Sequence, residues 1–360
     1  MERDELLTPN QIVFLLIGFA VGPGFLKLPN AIVSKAYQDS WISALIALIY
    51  PASIIFISLY IIKRHPKESI LYLSSKYFGR ILGGGLNFIF ISQFVIYAGT
   101  MTSEFIKLTR VYMVGYTSTY KVAIIGVVIA TIGACMGLKV LGKISEIVGY
   151  AALVTVVLSA AALQYGSVLN IQPVFGAGSS NIIKGAKETI YFYLGFETLL
   201  LIHPYAQDTK KIKKSALEAL LISGVIWVWT VFITIFYLGI DLIPKSFWSF
   251  VLVFESIHLP IINNFRYVAM FTWTLIIFRI VANDIYIFAF GLKEILKTNT
   301  QKVCLSVSPI ILYLSLLLLD EKLKFKVLNI VSPGFMVFNY LYILSVVIAV
   351  FFNRNRRVAA

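Results

Sequence analysis

The chain has 360 residues, of which 59% are hydrophobic and 13% are charged, and its mean hydropathy is +0.86. Soluble domains carry about 25% charged residues, so this composition excludes a soluble globular protein and predicts an all-α polytopic membrane protein. The formal net charge of +14 does not indicate nucleic-acid binding, because the basic residues fall mostly between apolar segments.

Apolar segments that are long enough to cross a bilayer recur along the whole chain. A spanning helix needs about 20 mostly apolar residues. Ten segments meet this requirement, at about 10–36, 40–62, 83–112, 121–138, 145–165, 181–206, 214–238, 266–292, 301–319 and 333–353. We expect a single transmembrane domain over residues 1–360. The longest gap, 239–265, reads as a loop with a short interfacial helix.

The first span contains the sequence "GFAVGPGFLKLP" at 18–29, which is a poor choice for an uninterrupted helix. Pro23 removes a backbone donor, and Gly22 and Gly24 permit backbone angles that other residues avoid. We therefore expect this stretch to unwind, so that N–H groups near Gly24 and Phe25 bind a carboxylate and freed carbonyls face a cation. A proline kink that only shapes packing is the alternative.

The sixth span contains a second weak point, "YLGF" at 193–196, followed by Glu197. Ten spans divide into two sets of five, and each set then begins with an interrupted helix. This pattern predicts an inverted repeat, about 10–165 and 181–353, with the binding site at the two breaks. The second break adds four candidate ligand contacts, which are Phe192, Leu194, Gly195 and Phe196.

These stretches resemble a known family. "GFAVGPGFLKLP" and "ETIYFYLGFETLLLIHPY" are similar to the spore germination permeases, the B-type subunits of germinant receptors in the amino acid/polyamine/organocation superfamily. The resemblance covers essentially the whole chain. It implies a LeuT-type fold with helices 1 and 6 broken, and a subunit of the spore inner membrane that senses a small nutrient with an A-type and a lipoprotein C-type partner. Lys27 departs from the family motif, where an apolar or small polar residue is expected.

Ionisable residues within the spans are candidates for function, because a charge in the bilayer is costly. Lys27 and Glu197 follow the two breaks at nearly equivalent positions, which predicts an ion pair close to the site in at least one state of the protein. A role in contacting the ligand is the alternative for both residues. Snorkelling of Lys27 to an interface is a further alternative.

The third span carries a polar stripe, Gln93, Tyr97, Thr100 and Glu104, whose spacing of 4, 3 and 4 places all four on one helical face. A polar face within a membrane points at protein or water, so Tyr97 and Thr100 are the best candidates for lining a pocket. Hydrogen bonding between helices alone is the alternative. Glu104 is expected to pair with Lys107.

The eighth span carries Arg279, Asn283 and Asp284, and Arg279 and Asn283 share a face. A cation at this depth needs an acidic partner, and we expect Asp284 or an acid of the third or fifth span to provide it. A gate or a proton relay is the alternative interpretation.

Most lysines and arginines fall in loops on the side of the termini if both termini are cytoplasmic, so we predict that topology. The basic loop 207–215 reads as a solvated loop on that side. The spans and breaks fit a nutrient sensor, an ion- or proton-coupled transporter of an amino acid or polyamine, and a scaffold that binds nothing. No arrangement of residues points to an enzyme, a cofactor or a metal site, and the expected partners are a small nutrient, the receptor subunits and the lipid bilayer.

Overall fold

The structure is a computed structural model that describes residues 6–113, 115–257 and 265–358, without the side chains of Pro23, Phe25 and residues 354–358. All regular elements in these ranges are helices, and one isolated β-bridge joins Leu7 to Ala206. The helical architecture agrees with the prediction from composition.

The first predicted span consists of three pieces. Helix α1 (Pro9–Ala20) is followed by a short 3-10 helix (Pro23–Leu26) and by α2 (Leu28–Ala36). A capping box starts α1, in which the Thr8 side chain accepts from the Gln11 backbone and the Gln11 side chain accepts from the Thr8 backbone. Residues 21–27, the first break, separate the two α-helices, so the predicted interruption is confirmed.

The sixth predicted span is interrupted in the same way. Helix α8 (Ser179–Ile190) leads through the 3-10 turns Tyr191–Tyr193 and Phe196–Thr198 into the short α9 (Leu199–Ile202). Between the two turns lie Leu194 and Gly195, the second break, where Gly195 has φ of 124°. That angle lies in the region that favours glycine, which is why the chain turns here.

The second predicted span, 40–62, is divided between two helices, and several later helices begin before their predicted spans. The remaining helices otherwise follow the predicted order. They are α3 (Ser40–Ile46), α4 (Ile49–Arg64), α5 (Ile70–Tyr112), α6 (Thr119–Cys135), α7 (Leu138–Leu158), α10 (Ile212–Leu238), α11 (Ser249–Glu255), α12 (Arg266–Leu296), α13 (Thr300–Leu317) and α14 (Glu321–Val358). Helix α5 begins before its apolar segment and kinks at Gly79, and α14 begins twelve residues before the predicted span at 333. Helix α11 is the predicted short helix of the long loop, but its apolar residues are buried in the protein, and residues 258–264 of that loop lie outside the described residues.

Seven helical stretches in the described residues are long and apolar enough to cross a membrane, and α1 and α6 are shorter apolar helices. The chain is therefore a multi-pass membrane protein. The count of ten spans, the division into two repeats and the cytoplasmic position of the termini stay predictions. Helix α12 lies at the centre of the bundle. Of its most apolar stretch, 72% is buried inside the protein, against at most 56% in the other candidate spans.

The start of α1 and the end of the sixth span are joined through their backbones. The Leu7 N–H donates to the Tyr205 carbonyl at 2.8 Å, and the Gln207 N–H donates to the Leu7 carbonyl at 2.9 Å. This pairing satisfies backbone groups that the ends of the helices leave free. It holds the two broken helices together at the far end of α1 from the first break.

Candidate functional site

The two broken helices contact each other next to their breaks. A β-carbon on Gly24 would stand 2.6 Å from Cδ1 of Phe192, and a β-carbon on Gly195 would stand 2.7 Å from the carbonyl oxygen of Phe19. Only residues without side chains permit these approaches. Glycine at both positions therefore lets each broken helix touch the other at its interruption.

A cavity of about 840 Å³ opens beside this junction. Its walls come from the first break and α2, from α5, from the second break, and from α10, α12 and α14. The predicted site residues that line it are Gly22, Gly24, Lys27, Tyr97, Thr100, Glu104, Phe192, Leu194, Gly195, Glu197 and Asp284. The structure thus brings together most of the residues that the breaks and the intramembrane charges indicated.

Two predicted residues whose side chains the structure describes, Phe196 and Arg279, do not line the cavity. Phe196 is fully buried in the core directly after Gly195, and Arg279 is 1% exposed on another face of α12. The side chains of Pro23 and Phe25 lie outside the described part of the chain, although their backbones form the 3-10 helix Pro23–Leu26. In this 3-10 helix the Phe25 N–H donates to the carbonyl of the N-cap residue Gly22. The Gly24 N–H has no partner within the helix and is available to bind another group.

The polar stripe of α5 faces the cavity, because Gln93, Tyr97, Thr100 and Glu104 all line it. Hydrogen bonding between helices occurs as well. The Asn339 side chain of α14 donates to Gln93 at 3.0 Å, and the Thr100 hydroxyl donates to the Ile96 carbonyl of its own helix at 2.9 Å. The stripe therefore both lines the cavity and takes part in hydrogen bonding between helices, as the two interpretations of it proposed.

Glu197 is held in place beside the second break. It is 2% exposed and accepts hydrogen bonds from the Tyr50 hydroxyl at 2.5 Å and from the Gly195 N–H at 2.7 Å. The Thr198 hydroxyl donates to the Gly195 carbonyl at 2.6 Å. These bonds compensate the buried carboxylate and fix the backbone of the break.

Lys27 binds Glu104 and not Glu197, so the ion pair predicted across the two breaks is not formed in this structure and stays a prediction for another state. Its Nζ lies 2.8 Å from Glu104 Oε1, 3.9 Å from Glu321 Oε2 and 4.2 Å from the Phe247 ring centre. The first break positions Lys27 towards α5 and α14, because it lies between the 3-10 helix and α2. Glu197 is occupied by Tyr50 instead.

Five charged side chains form a connected cluster at one end of the cavity, and Lys27 is one of them. Lys324 contacts Glu104 and lies 2.7 Å from Glu321 Oε1, and Lys107 also contacts Glu321. The expected pairing of Glu104 with Lys107 is therefore wrong. The charge cluster, Lys27, Glu104, Lys107, Glu321 and Lys324, ties the first break to α5 and α14.

Arg279 has no ion pair with any residue that the structure describes, which contradicts the expectation of an acidic partner. One guanidinium nitrogen donates to the Val21 carbonyl in the first break at 3.4 Å, and Nε and Nη1 have no hydrogen-bond partner in the described ranges. A β-carbon on Gly18 would stand 3.2 Å from Arg279 Nε and 3.3 Å from Asn283 Nδ2. Arg279 and Asn283 therefore lie on one face of α12, as predicted. That face packs against α1 and not against an acidic side chain.

Sequence reasoning missed two residues that complete the site. Lys324 is 3% exposed and lies in α14, whereas hydropathy alone placed it in an outer loop. Its spacing of three from Glu321 is the signal that would have extended the helix. Tyr50, the partner of Glu197, reads as one of many aromatic residues in the second span, and no pattern distinguishes it.

The profile of the family described as "Spore germination protein" matches residues 6–324. The chain is 26% identical over 346 residues to Spore germination protein GerQB of Bacillus cereus, covering 94% of this chain and 93% of that protein. It is 25% identical over 255 residues to Spore germination protein KB of Bacillus subtilis (strain 168), covering 68% and 66%.

Two solved structures share the fold of this chain. MhsT in complex with L-phenylalanine matches with a TM-score of 0.65 and 13% identity, covering 94% of this chain and 87% of MhsT. A Na⁺-coupled sialic acid symporter in a substrate-bound outward-open state matches with a TM-score of 0.70 and 10% identity, covering 93% and 78%. These matches confirm the LeuT-type fold.

Proposed function

The chain belongs to the family of spore germination proteins, and from this we propose that it is a germinant-binding subunit of a receptor in the spore inner membrane. It binds a small nutrient, an amino acid, at the two breaks. Binding changes the breaks and triggers germination through an A-type and a lipoprotein C-type partner subunit. Both termini lie on the side of the spore core.

The cavity at the junction of the breaks is the observation that carries this proposal. Its volume of about 840 Å³ falls within the range of roughly 300–1,000 Å³ that small-molecule sites occupy. The Gly24 N–H, which the 3-10 helix leaves without a partner, suits a carboxylate. MhsT, which has the same fold, was solved with L-phenylalanine, and this supports an amino acid as the ligand.

The proposed ligand contacts divide into backbone and wall. The backbone at Gly22, Pro23, Gly24 and Phe25 offers polar groups to the ligand. The N–H and carbonyl of Gly195 are already bonded to Glu197 and Thr198, so Gly195 contributes through the space that a side chain would fill. Tyr97, Thr100, Phe192 and Leu194 form walls around its body. Phe196 contributes from the core, where it holds the second break.

An ion- or proton-coupled amino acid or polyamine transporter is the second candidate. The fold of a Na⁺-coupled symporter favours it, because a site at two broken helices serves transport and sensing equally. Uptake by the purified protein in proteoliposomes under a Na⁺ or proton gradient separates the two. Accumulation of a bound compound above equilibrium supports transport, whereas binding without accumulation supports a sensor.

Thermal unfolding of the purified protein against a panel of amino acids, sugars and nucleosides tests the binding function itself. A ligand that binds only the folded state at 100 times its Kd raises the free energy of unfolding by about 2.7 kcal/mol. We expect at least one amino acid to shift the Tm in a saturable manner. If no compound does so, alone or with the partner subunits present, the chain is a scaffold and the proposal fails.

A further inference from the structure

We propose that Asp284 binds a cationic nitrogen on the ligand, so that the cavity selects molecules that carry an ammonium or guanidinium group. The inference rests on the function proposed above and names the class of ligand for the same site. It also assigns a role to a residue that sequence reasoning interpreted as one half of a structural ion pair.

Asp284 differs from the other buried carboxylates in lacking a partner. Asp39 accepts from two backbone N–H groups, Glu104 binds two lysines, and Glu197 accepts from Tyr50 and Gly195. Asp284 is 4% exposed and has no hydrogen bond or ion pair to any residue within 6–113, 115–257 and 265–358. A buried carboxylate without a partner is costly, so its retention indicates a partner that arrives from outside the chain.

The position of Asp284 directs it to the space beside the breaks. Asp284 and Ile280 are four residues apart on one face of α12, and both line the cavity. A β-carbon on Gly22 would stand 3.4 Å from Cδ1 of Ile280, so this face of α12 lies against the first break. Asp284, Tyr97 and Glu197 all line the cavity, so the two carboxyl groups and the Tyr97 side chain border the same space.

No basic side chain of the described residues is available to neutralise Asp284. Three lysines line the cavity, and two of them, Lys27 and Lys324, are already bound to Glu104. The third, Lys35, lies in the last turn of α2, far along the helix from the break. Arg279 faces the Val21 carbonyl instead. A cationic group on a bound molecule would therefore supply the charge that no described side chain provides.

The cavity suits an organic cation better than a metal ion. Its volume accommodates a whole small molecule, and its walls are rich in aromatic side chains, Phe19, Phe94, Tyr97, Phe192 and Trp227. Aromatic faces attract organic cations and pack against their apolar parts. A bare alkali or alkaline-earth ion instead needs several oxygen ligands at short distance. The free Gly24 N–H of the first break remains available for a carboxylate on the same molecule.

The test measures Kd by thermal unfolding of the purified protein with matched compounds. L-leucine, L-lysine and cadaverine carry a free ammonium group, whereas N-acetyl-L-leucine and 4-methylpentanoate do not; glucose, inosine, NaCl and KCl complete the panel. We expect stabilisation only by compounds with the ammonium group. Asp284→Asn should weaken it at least about tenfold in Kd, and Asp284→Glu should retain the preference for cations. Glu218→Gln, at an exposed pair with Lys214, is the control and should leave Kd unchanged.

A second readout is the stability of the protein without ligand. Asp284→Asn removes an unpaired buried charge, so its Tm should equal or exceed that of the wild type, whereas Glu197→Gln weakens existing hydrogen bonds and should lower it. A variant Asp284→Asn that fails to fold contradicts the absence of a partner and overturns the proposal.

The other outcomes separate this inference from the proposed function. If neutral or anionic compounds bind, or if ammonium compounds bind Asp284→Asn as tightly as the wild type, the cation site is refuted while the binding function stands. If Na⁺ or K⁺ alone stabilises the wild type through Asp284, the site takes an inorganic ion and the assignment to the ligand is wrong. If nothing in the panel binds the wild type, the inference fails together with an amino acid as the germinant.

Discussion

At Gly24 the requirement for glycine comes from a neighbour and not from the backbone angles. The sequence suggested that Gly22 and Gly24 are needed for unusual angles, but Gly22 is extended, at φ −100° and ψ −171°, and neither glycine has a positive φ. The β-carbon of any other residue at position 24 would instead meet the ring of Phe192. Gly24 therefore serves as the contact point between the two breaks.

Gly24→Val should weaken ligand binding at least about tenfold, because it displaces the Phe192 ring that lines the cavity. Binding is measured by the ligand-induced shift in Tm. Adding Phe192→Ala to Gly24→Val frees the space and should restore part of the affinity. Gly84→Ala, where a β-carbon meets no atom within 4 Å, should leave binding unchanged and change stability by about 1 kcal/mol or less. Normal binding by Gly24→Val would show that the first break only shapes packing.

Tyr50 is expected to matter for stability through a single hydrogen bond. Tyr50→Phe leaves Glu197 with one backbone donor, and we expect the free energy of unfolding to fall by about 1.5–3 kcal/mol. Tyr60→Phe in the same helix is the matched control, because the Tyr60 hydroxyl is buried and has no hydrogen-bond partner among the described residues. Equal losses in the two variants, measured by thermal unfolding, would contradict the role assigned to the Tyr50 hydroxyl.

Among the elements, α14 changes the picture of the site most. Because it begins at Glu321, its first turn carries Glu321 and Lys324 to the end of α5, where Glu104 and Lys107 lie. The first break adds Lys27 to the same place. The charge cluster thus connects three separate elements at one end of the cavity, and any relative movement of α14 must break ion pairs there.

Double-mutant cycles distinguish this arrangement from the pairing of Lys27 with Glu197. Lys27→Met combined with Glu104→Gln should show a coupling of about 0.5–3 kcal/mol, because the two side chains form a direct ion pair in the partly buried charge cluster and either single change removes it. The same cycle with Glu197→Gln in place of Glu104→Gln should show less than about 0.5 kcal/mol. Thermal unfolding of the six proteins supplies both values. A larger coupling with Glu197 would restore the pairing that the sequence suggested.

For the molecule as a whole, the sequence predicted the features that depend on residues close together in the chain. The breaks follow from proline and glycine, and the stripe from helical spacing, so the cavity walls at Gly24, Gly195 and Tyr97 were predictable. The ion-pair partner of Lys27 could not be predicted from the sequence. Glu104, Glu197 and Glu321 were all candidates, and only the packing of α2, α5 and α14 selects among them. Helix α14 was cut short because hydropathy does not detect a polar first turn that ion pairs stabilise.

The topology of the whole chain is testable at one exposed position. In a protein with Cys135→Ser and Cys304→Ala, a cysteine placed at Gln207 should react with a membrane-impermeant maleimide only from the cytoplasmic face, as the neighbouring lysines predict. Tyr116→Cys, at a residue that is 91% exposed in the predicted outer loop, should react only from the other face. The reverse pattern in right-side-out and inverted vesicles would invert the predicted topology.

The backbone bonds of Leu7 with Tyr205 and Gln207 couple any tilt of α1 to the sixth span. One end of α1 meets the first break, and the other end is hydrogen-bonded to the segment that follows the second broken helix. Because α1 has twelve residues and is about 18 Å long, a tilt of about 5° at the first break moves the far end by about 1.5 Å. That displacement reaches the chain at Gln207 and the lysines that follow it. A small tilt of α1 at the cavity would thus move the exposed segment at Gln207, at the end of α1 that lies away from the cavity.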